Sequence, residues 1–353
     1  MTIVPLFGHA DLRARIATAR SRGALPAALL LTGTRGVGKQ RLALWTAQLL
    51  LCEAPGDDEP CGQCRHCKFC LELRHPDLHW YFPRPRPKDS DPSPEDVEMD
   101  YAEAIAERAE DDGLYAAPPG SDGIFVASVR SIVQQASKSP AVAKKKVFII
   151  GDAERMVPQE GAEFAANAFL KLLEEPPVDT QVILTSSEPG ALLPTIRSRV
   201  VTLRAAPLPA AEMHRFLADA TVAKRLGAKA PAADRVTAGV PGRFLDDADH
   251  ETAQANAARM LDAALGKRAA RFEAAWAQAS AKARGAFADS LDALTERLRD
   301  RVRGAALRGA SAEALSATRA IEAVEVAKER ITSNVSPQLV TVNLIRELQE
   351  LLI

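Results

Sequence analysis

One octapeptide restricts the fold of this chain more than any other stretch. Residues 33–40 read GTRGVGKQ, which fits the phosphate-binding loop pattern G-x-x-x-x-G-K-[ST] at every position but the last. An apolar run, 25–32, leads into the loop, and RLALWTAQLLLC follows Lys39 with apolar residues at helical spacing. A buried strand, a glycine loop and a helix in that order predict an α/β domain on a mainly parallel sheet. In such a loop Gly33, Gly36 and Gly38 let the main chain approach a phosphate, and backbone N–H groups at the helix N-terminus cradle it. Lys39 neutralises phosphate charge, and Arg35 adds a second positive group. Gln40 stands where a short hydroxyl would hold magnesium, and its amide on a longer stem is a poor substitute.

The alternation of strands and helices continues downstream. KKKVFIIGDAERM reads as three surface lysines, a buried strand at 147–150 and an acidic strand end. EFAANAFLKLLEEPP is a helix stopped by Pro176 and Pro177, QVILTSSEPG a buried strand with a turn, and LLPTIRSRVVTLR a short helix and a strand. Between these segments lies 83–123, with PRPRPKDSDPSPEDVEMD and AERAEDDG, rich in Pro, Asp and Glu. It reads as an exposed, partly disordered insertion with a short helix near 101–109. Its two readings are a solvated loop and an acidic partner-binding arm. From Pro207 strand signals vanish. LPAAEMHRFLADATVAKRLG and the stretch 234–244 suggest a small helical unit, and a longer helical region runs from about Thr252 to the end. The expected division is an α/β domain at 1–205, a helical lid at 206–250 and an all-α domain at 251–353. In the last, Val340, Leu344 and Leu348 share one helical face and read as intrachain core.

A second acidic position bears on chemistry. In nucleotide-hydrolysing proteins of this kind an apolar strand ends in an Asp that helps hold magnesium. Here VFII ends in Gly151-Asp152. Gly151 takes the place of the metal-binding Asp, and Asp152 that of a Glu that orients water. Glu154 reads as a surface residue of the turn. Losing one electrostatic stabiliser costs ~100- to 1000-fold in rate. With the hydroxyl and the carboxylate both missing, no intrinsic hydrolysis is expected. Whether nucleotide still binds is left open by these residues.

Cys52, Cys61, Cys64 and Cys67 have the spacing C-x8-C-x2-C-x2-C, with Cys70 just beyond. Four thiolates make a closed tetrahedral zinc site of structural type, with no open position for catalysis. An iron–sulfur cluster is the alternative metal, and Cys70 the alternative to Cys52. His66, His75 and His79 are assigned no ligand role and read as surface or packing residues. The net charge of −1 gives no global basic footprint, so any DNA contact is local or made through partners. The N-terminus does not read as a secretory signal, and no apolar run is long enough to span a bilayer. A cytoplasmic protein is expected, without membrane contact.

LLLTGTRGVGK, LLCEAPGDDEPCGQCRHC followed by HPDLHW, AANAFLKLLEEPP and LLPTIRSR together resemble the delta-prime subunits of bacterial clamp loaders, part of the DNA polymerase III holoenzyme. The likeness covers most of 1–245, and NVSPQLVTVNLIREL fits more loosely. It implies an AAA+ (RecA-like) P-loop domain with an inserted zinc knuckle, a small helical lid and a C-terminal helical collar. It implies a pentameric ring with delta and three gamma or tau ATPase subunits, which opens the sliding clamp and loads it onto primed DNA. The family's delta-prime member is fairly rigid and non-hydrolysing. Gln40 and Gly151 agree with that role; a catalytically active gamma/tau-like ATPase is the alternative. Bound ATP or ADP is compatible with the loop but not required. The family's Ser-Arg-Cys motif matches Ser198-Arg199-Val200, which makes Arg199 a finger acting in trans on a neighbour's nucleotide. Arg197 competes for that role, and a surface salt bridge is the plain alternative. Ser186 falls near the first sensor position, and Arg243 in GVPGRFL resembles the second.

Overall fold

Continuous apolar runs, rather than alternating ones, form the inner strands, as a parallel sheet covered on both faces requires. In the computed structural model, which describes residues 2–89, 91–115, 122–156, 163–227, 239–245, 248–266, 273, 284–332 and 336–353, these runs are β1 (Ala28–Thr32), β3 (Lys146–Ile150) and β4 (Thr180–Ser186), buried along their whole length. β2 (Leu78–Tyr81) and β5 (Val201–Arg204) flank them. The order is β2-β3-β4-β1-β5 and every pairing is parallel, with Leu30 opposite Leu184 and Ile150 opposite Tyr81. β5 is an exposed edge. The sequence reading did not contain β2: LHWY mixes polar and apolar residues, and His79 reads as polar. Its ring instead stacks on Phe148, centroids 4.6 Å apart.

Lys146 corrects the expectation of three surface lysines. It is buried at the start of β3, where its ammonium donates to the Lys138 carbonyl and pairs with Asp179 at 3.4 Å. Lys144 and Lys145 are exposed. A buried lysine is retained only where such partners replace water.

Helices cover the sheet: α1 (Ala10–Ser21), α2 (Lys39–Leu51), α3 (Arg65–Leu71), α4 (Pro94–Glu110), α5 (Val126–Ser137), α6 (Glu163–Glu174), α7 (Pro194–Arg197), α8 (Ala210–Ala218) and α9 (Ala220–Leu226). Ten of the thirteen residues of α2 are buried, so it is a core helix and the phosphate loop is anchored at its N-terminus. Its Leu42 and Leu49 pack with Ile16, Ile132 and the strands in one cluster. Burial of each such side chain is worth roughly 1.5–3 kcal/mol.

α4 corrects the reading of 83–123 as an exposed insertion with only a short helix near 101–109. It is a seventeen-residue helix, longer than expected, opened by a capping box between Ser93 and Asp96 with Pro94 in its first turn. Val97, Tyr101 and Ala104 form its buried stripe. The Tyr101 hydroxyl donates to the Phe82 carbonyl at 2.9 Å. Acidic composition hid this stripe, because three buried residues at helical spacing suffice to dock a helix whose other faces are charged.

The chain divides into two compact units, one of residues 1–117 and 123–245, the other of 246–353 together with 118–122. α8, α9 and a 3₁₀ turn at Pro241–Phe244 belong to the first. Residues 234–238 of the expected helical stretch at 234–244 lie outside the described residues. The second unit carries α10 (Ala248–Leu265), α11 (Arg284–Leu307), α12 (Ser311–Thr332) and α13 (Pro337–Leu352). Its core joins Met260, Leu291, Leu294, Leu298 and Val324 to Val340, Leu344 and Leu348. Among the described residues no helix is long and apolar enough to cross a membrane.

Candidate functional site

A parallel sheet gathers the carboxyl ends of its strands on one edge, where ligands of open α/β folds bind. Here that edge brings the loop after β1 beside Gly151-Asp152 after β3 and Ser186-Ser187 at the end of β4. The Gly33 N–H donates to the Ser186 carbonyl at 3.3 Å. A Cβ on Gly33 would lie 2.5 Å from the Ala205 carbonyl oxygen, so only glycine fits. Lys39, at the first position of α2, is buried. Its ammonium donates to the Gly33 carbonyl at 3.0 Å, the Thr34 carbonyl at 3.1 Å and Ser187 Oγ at 2.8 Å. An ammonium has three N–H groups, and all three are taken. Burial lowers its pKa, while Asp152 and Glu154 oppose that shift.

Glu154 is not the surface residue expected of a turn. Asp152 adopts φ 48° and starts a 3₁₀ turn, Ala153–Arg155, that carries Glu154 inward. Its Oε1 accepts the Ser187 N–H at 2.9 Å, and Oε2 is buried without a hydrogen-bond partner. Burial, with Asp152 nearby, pushes its carboxyl pKa up. A carboxylate after a strand end reads as solvated. Only the left-handed Asp152 turns it in, and nothing in the local pattern signals that.

Gln40 does more than lack a hydroxyl. Its Nε2 donates to Asp152 Oδ2 at 3.1 Å, and its Oε1 accepts from Trp80 Nε1 at 3.1 Å and the Tyr115 hydroxyl at 3.2 Å. A Cβ on Gly151 would stand 2.7 Å from Gln40 Cδ and Oε1. A side chain at 151, aspartate included, would require the Gln40 amide to leave this position and its hydrogen bonds. The two departures from the hydrolytic pattern are therefore one steric substitution: the long amide fills the space that the missing carboxylate leaves. The residues present do not fit a magnesium ion, since neither hydroxyl nor strand-end carboxylate exists and Asp152 is engaged by Gln40. Sequence reasoning could not place Trp80 and Tyr115, which lie 40 and 75 positions from Gln40.

Of the two sensor candidates, Ser186 is buried and its Oγ accepts the Glu188 N–H at 3.1 Å, while its neighbour Ser187 meets Lys39. Arg243 lies in the turn that touches the loop. The Gly242 N–H donates to the Gly36 carbonyl at 2.8 Å. A Cβ on Gly242 would come within 2.6 Å of Gly36 Cα, so the two glycines permit this contact.

The cysteines form a second, separate site. Cys52 caps the end of α2, Cys64 caps the start of α3, Cys67 lies within α3 and Cys61 on the loop between them. The four sulfurs lie within 4.8 Å of one another. Cys61 and Cys67 Sγ are 3.9 Å apart, and Cys64 and Cys52 Sγ 4.0 Å. Zn–S bonds of ~2.3 Å place tetrahedral sulfurs about 3.8 Å apart, so this donor set fits zinc. Backbone N–H groups of Cys61, Cys64 and Cys67 donate to the sulfurs of Cys52, Cys61 and Cys64 at 3.3–3.4 Å. Donors from Cys64 and Gln63 lower the Cys61 thiol to about 6. Cys70 stands outside the quartet, in the apolar core, where burial pushes its thiol up to about 12. His66 and His75 are buried and hydrogen-bonded to each other at 2.7 Å, which makes them packing residues.

Arg199 follows α7. Its Nε donates to Glu174 Oε1 at 2.6 Å, and Nη1 to the Thr195 carbonyl at 2.8 Å and to Ser198 Oγ at 3.3 Å. Nη2 also pairs with Glu174. The guanidinium thus sits in a surface ion pair, partly exposed, while Arg197 is exposed.

Comparison with known proteins agrees with the motifs. A DNA polymerase III subunit delta′ of Pseudomonas aeruginosa is 35% identical over 184 residues, 52% of this chain and 44% of that protein. The Bacillus subtilis subunit delta′ is 33% identical over 51% of this chain and 42% of its own length. A subunit tau of Salmonella typhimurium is 27% identical over 56% of this chain and 24% of its own length. The chain spans less than half the length of these relatives. The family model described as DNA polymerase III, delta subunit matches residues 8–209. With more than half of its residues under that model, this chain belongs to the DNA polymerase III, delta subunit family.

Proposed function

We propose that this chain is the delta′-type subunit of a bacterial clamp loader, a member that does not hydrolyse nucleotide and serves as scaffold and charge donor. The carrying observation is the Gln40–Gly151 contact, which fills the magnesium position with a side chain. The same contact disfavours the gamma/tau-like ATPase, as do the higher identities to delta′ relatives. The partners are delta and gamma or tau subunits in a pentameric ring that acts on the sliding clamp and primed DNA in the cytoplasm. In that ring 251–353 serves as the collar and 206–250 as the lid. Cys52, Cys61, Cys64 and Cys67 hold a structural zinc, which ties the 52–67 loop to α2 and α3. Ser186 and Arg243 are relics of sensor positions, and Ser198 orients Arg199.

Arg199 is the chemical contribution of this subunit, made to a neighbour's nucleotide. Its ion pair with Glu174 is partly exposed, and such pairs are worth only ~0–1 kcal/mol, so a phosphate competes readily for the guanidinium. The test is reconstitution with the other loader subunits. Arg199→Ala should leave assembly intact and lower DNA-stimulated ATP hydrolysis by ~1000-fold at the adjoining site. Unchanged hydrolysis overturns the trans role. Failure to assemble with those subunits overturns the partner assignment.

A further inference from the structure

Helix α4 runs out of the insertion at Glu110, and the chain then turns back toward the phosphate loop. Asp112 and Gly113 both adopt positive φ, 55° and 73°. A Cβ on Gly113 would lie 2.8 Å from Ile3 Cγ2, so the turn depends on glycine. The Val4 N–H donates to the Asp112 carbonyl at 2.8 Å, docking the turn on the N-terminal segment. This return delivers Tyr115, whose hydroxyl meets Gln40. It also brings Arg108 into an aromatic cage. Its guanidinium carbon lies 3.3 Å from the Phe82 ring centroid, 3.9 Å from that of Tyr115 and 4.6 Å from that of Trp80. Two of those rings, Tyr115 and Trp80, carry the donors that grip Gln40. Arg108 Nη1 is buried without a hydrogen-bond partner. Burial lowers its pKa, while Tyr115 and Asp152, the carboxylate that Gln40 holds, oppose that shift.

We propose that the arm from Arg108 to Tyr115 is an internal occupant of the nucleotide site: with Gln40 it fills the magnesium position with the chain's own atoms, and Arg108 supplies the positive charge there. The inference deepens the silent-site part of the function proposed above and does not depend on ring assembly. It differs from simple loss of ligands in one consequence. Restoring the hydroxyl and the carboxylate should not restore the site, because a buried guanidinium and two outward donors remain, and like charges repel strongly where water is excluded.

The test uses the full chain titrated with a fluorescent ADP analogue and magnesium. The wild type and Gln40→Thr/Gly151→Asp should show no magnesium-dependent binding. Adding Arg108→Met to that pair should give magnesium-dependent binding at least ~10-fold tighter than the pair, while adding Arg108→Lys, which keeps the charge, should not. Zinc content and near-UV circular dichroism of each variant show that its fold is kept. Equal binding by the pair and by the Arg108→Met triple overturns the proposal. So does equal binding by the Met and Lys triples, or failure of a folded Met triple to bind. Each outcome is read on the isolated chain, so it is separate from whether the subunit joins a ring.

Discussion

The knuckle and the phosphate loop sit at opposite ends of one helix and have opposite fates. At the C-terminal end of α2, four sulfurs converge at tetrahedral spacing with backbone donors around them, a donor set compatible with a structural metal. At the N-terminal end, the cation's position is taken by Gln40, tied to Asp152, Trp80 and Tyr115. The difference shows that a binding motif fails in two distinct ways. A ligand can be missing and leave space, or its replacement can be packed in. Gly151 marks the second kind, since its lack of a side chain is what admits the glutamine.

The largest expected effect tests the knuckle half of this contrast. Elemental analysis is expected to find one zinc per chain in the parent protein and none in Cys64→Ala, which removes one of the four sulfurs. Loss of a structural metal belongs to the class of changes costing ~4 kcal/mol or more, read as a lowered melting temperature. A folded chain of unchanged stability and no metal would break the comparison.

The loop half is sharpened by a double-mutant cycle. Gly151→Ala should cost ~1–3 kcal/mol through overpacking against Gln40. Gln40→Ser should relieve that cost, with a coupling of ~0.5–3 kcal/mol between the two sites in urea unfolding. Additivity would mean that the two positions do not share space.

The inner strands β1, β3 and β4 and the knuckle were legible because their signals are local. VFII and QVILT are unbroken apolar runs, and C-x2-C-x2-C brings sulfurs together within a few residues. What was not legible depends on partners far along the chain. Lys146 and Glu154 read as surface charges, yet Asp179 and the Ser187 amide draw them in. Gln40 reads as a lost magnesium ligand from its place in the loop, but its contacts rest on β2 and the insertion, neither of which local periodicity resolved. α4 was foreshadowed only as a short helix, since its buried stripe is three residues wide in an acidic sequence.

A smaller effect tests the loop before β3. Asp77 is buried between β2 and the 141–143 turn. Burial opposes its charge, but N–H groups of Ala141, Val142 and Ala143 donate to the carboxylate, the last two at 2.9 and 2.7 Å, and the net result is a lowered pKa. An unfolded aspartate titrates near ~3.9. The stabilisation is therefore complete above that pH and lost as pH falls through the lower native value. Asp77→Asn should flatten this acid limb, read from urea midpoints measured across acid pH. The smallest effect is expected at Arg199. Its ion pair with Glu174 is partly exposed, so Arg199→Ala should change stability by no more than ~0.5 kcal/mol. A larger loss would recast it as structural.

The most direct test is phosphate release by the purified chain alone, supplied with ATP and magnesium and compared with Lys39→Ala. With Gln40 in the cation's place, the account predicts the same background rate for both proteins. Steady, magnesium-dependent release that disappears in Lys39→Ala would contradict it.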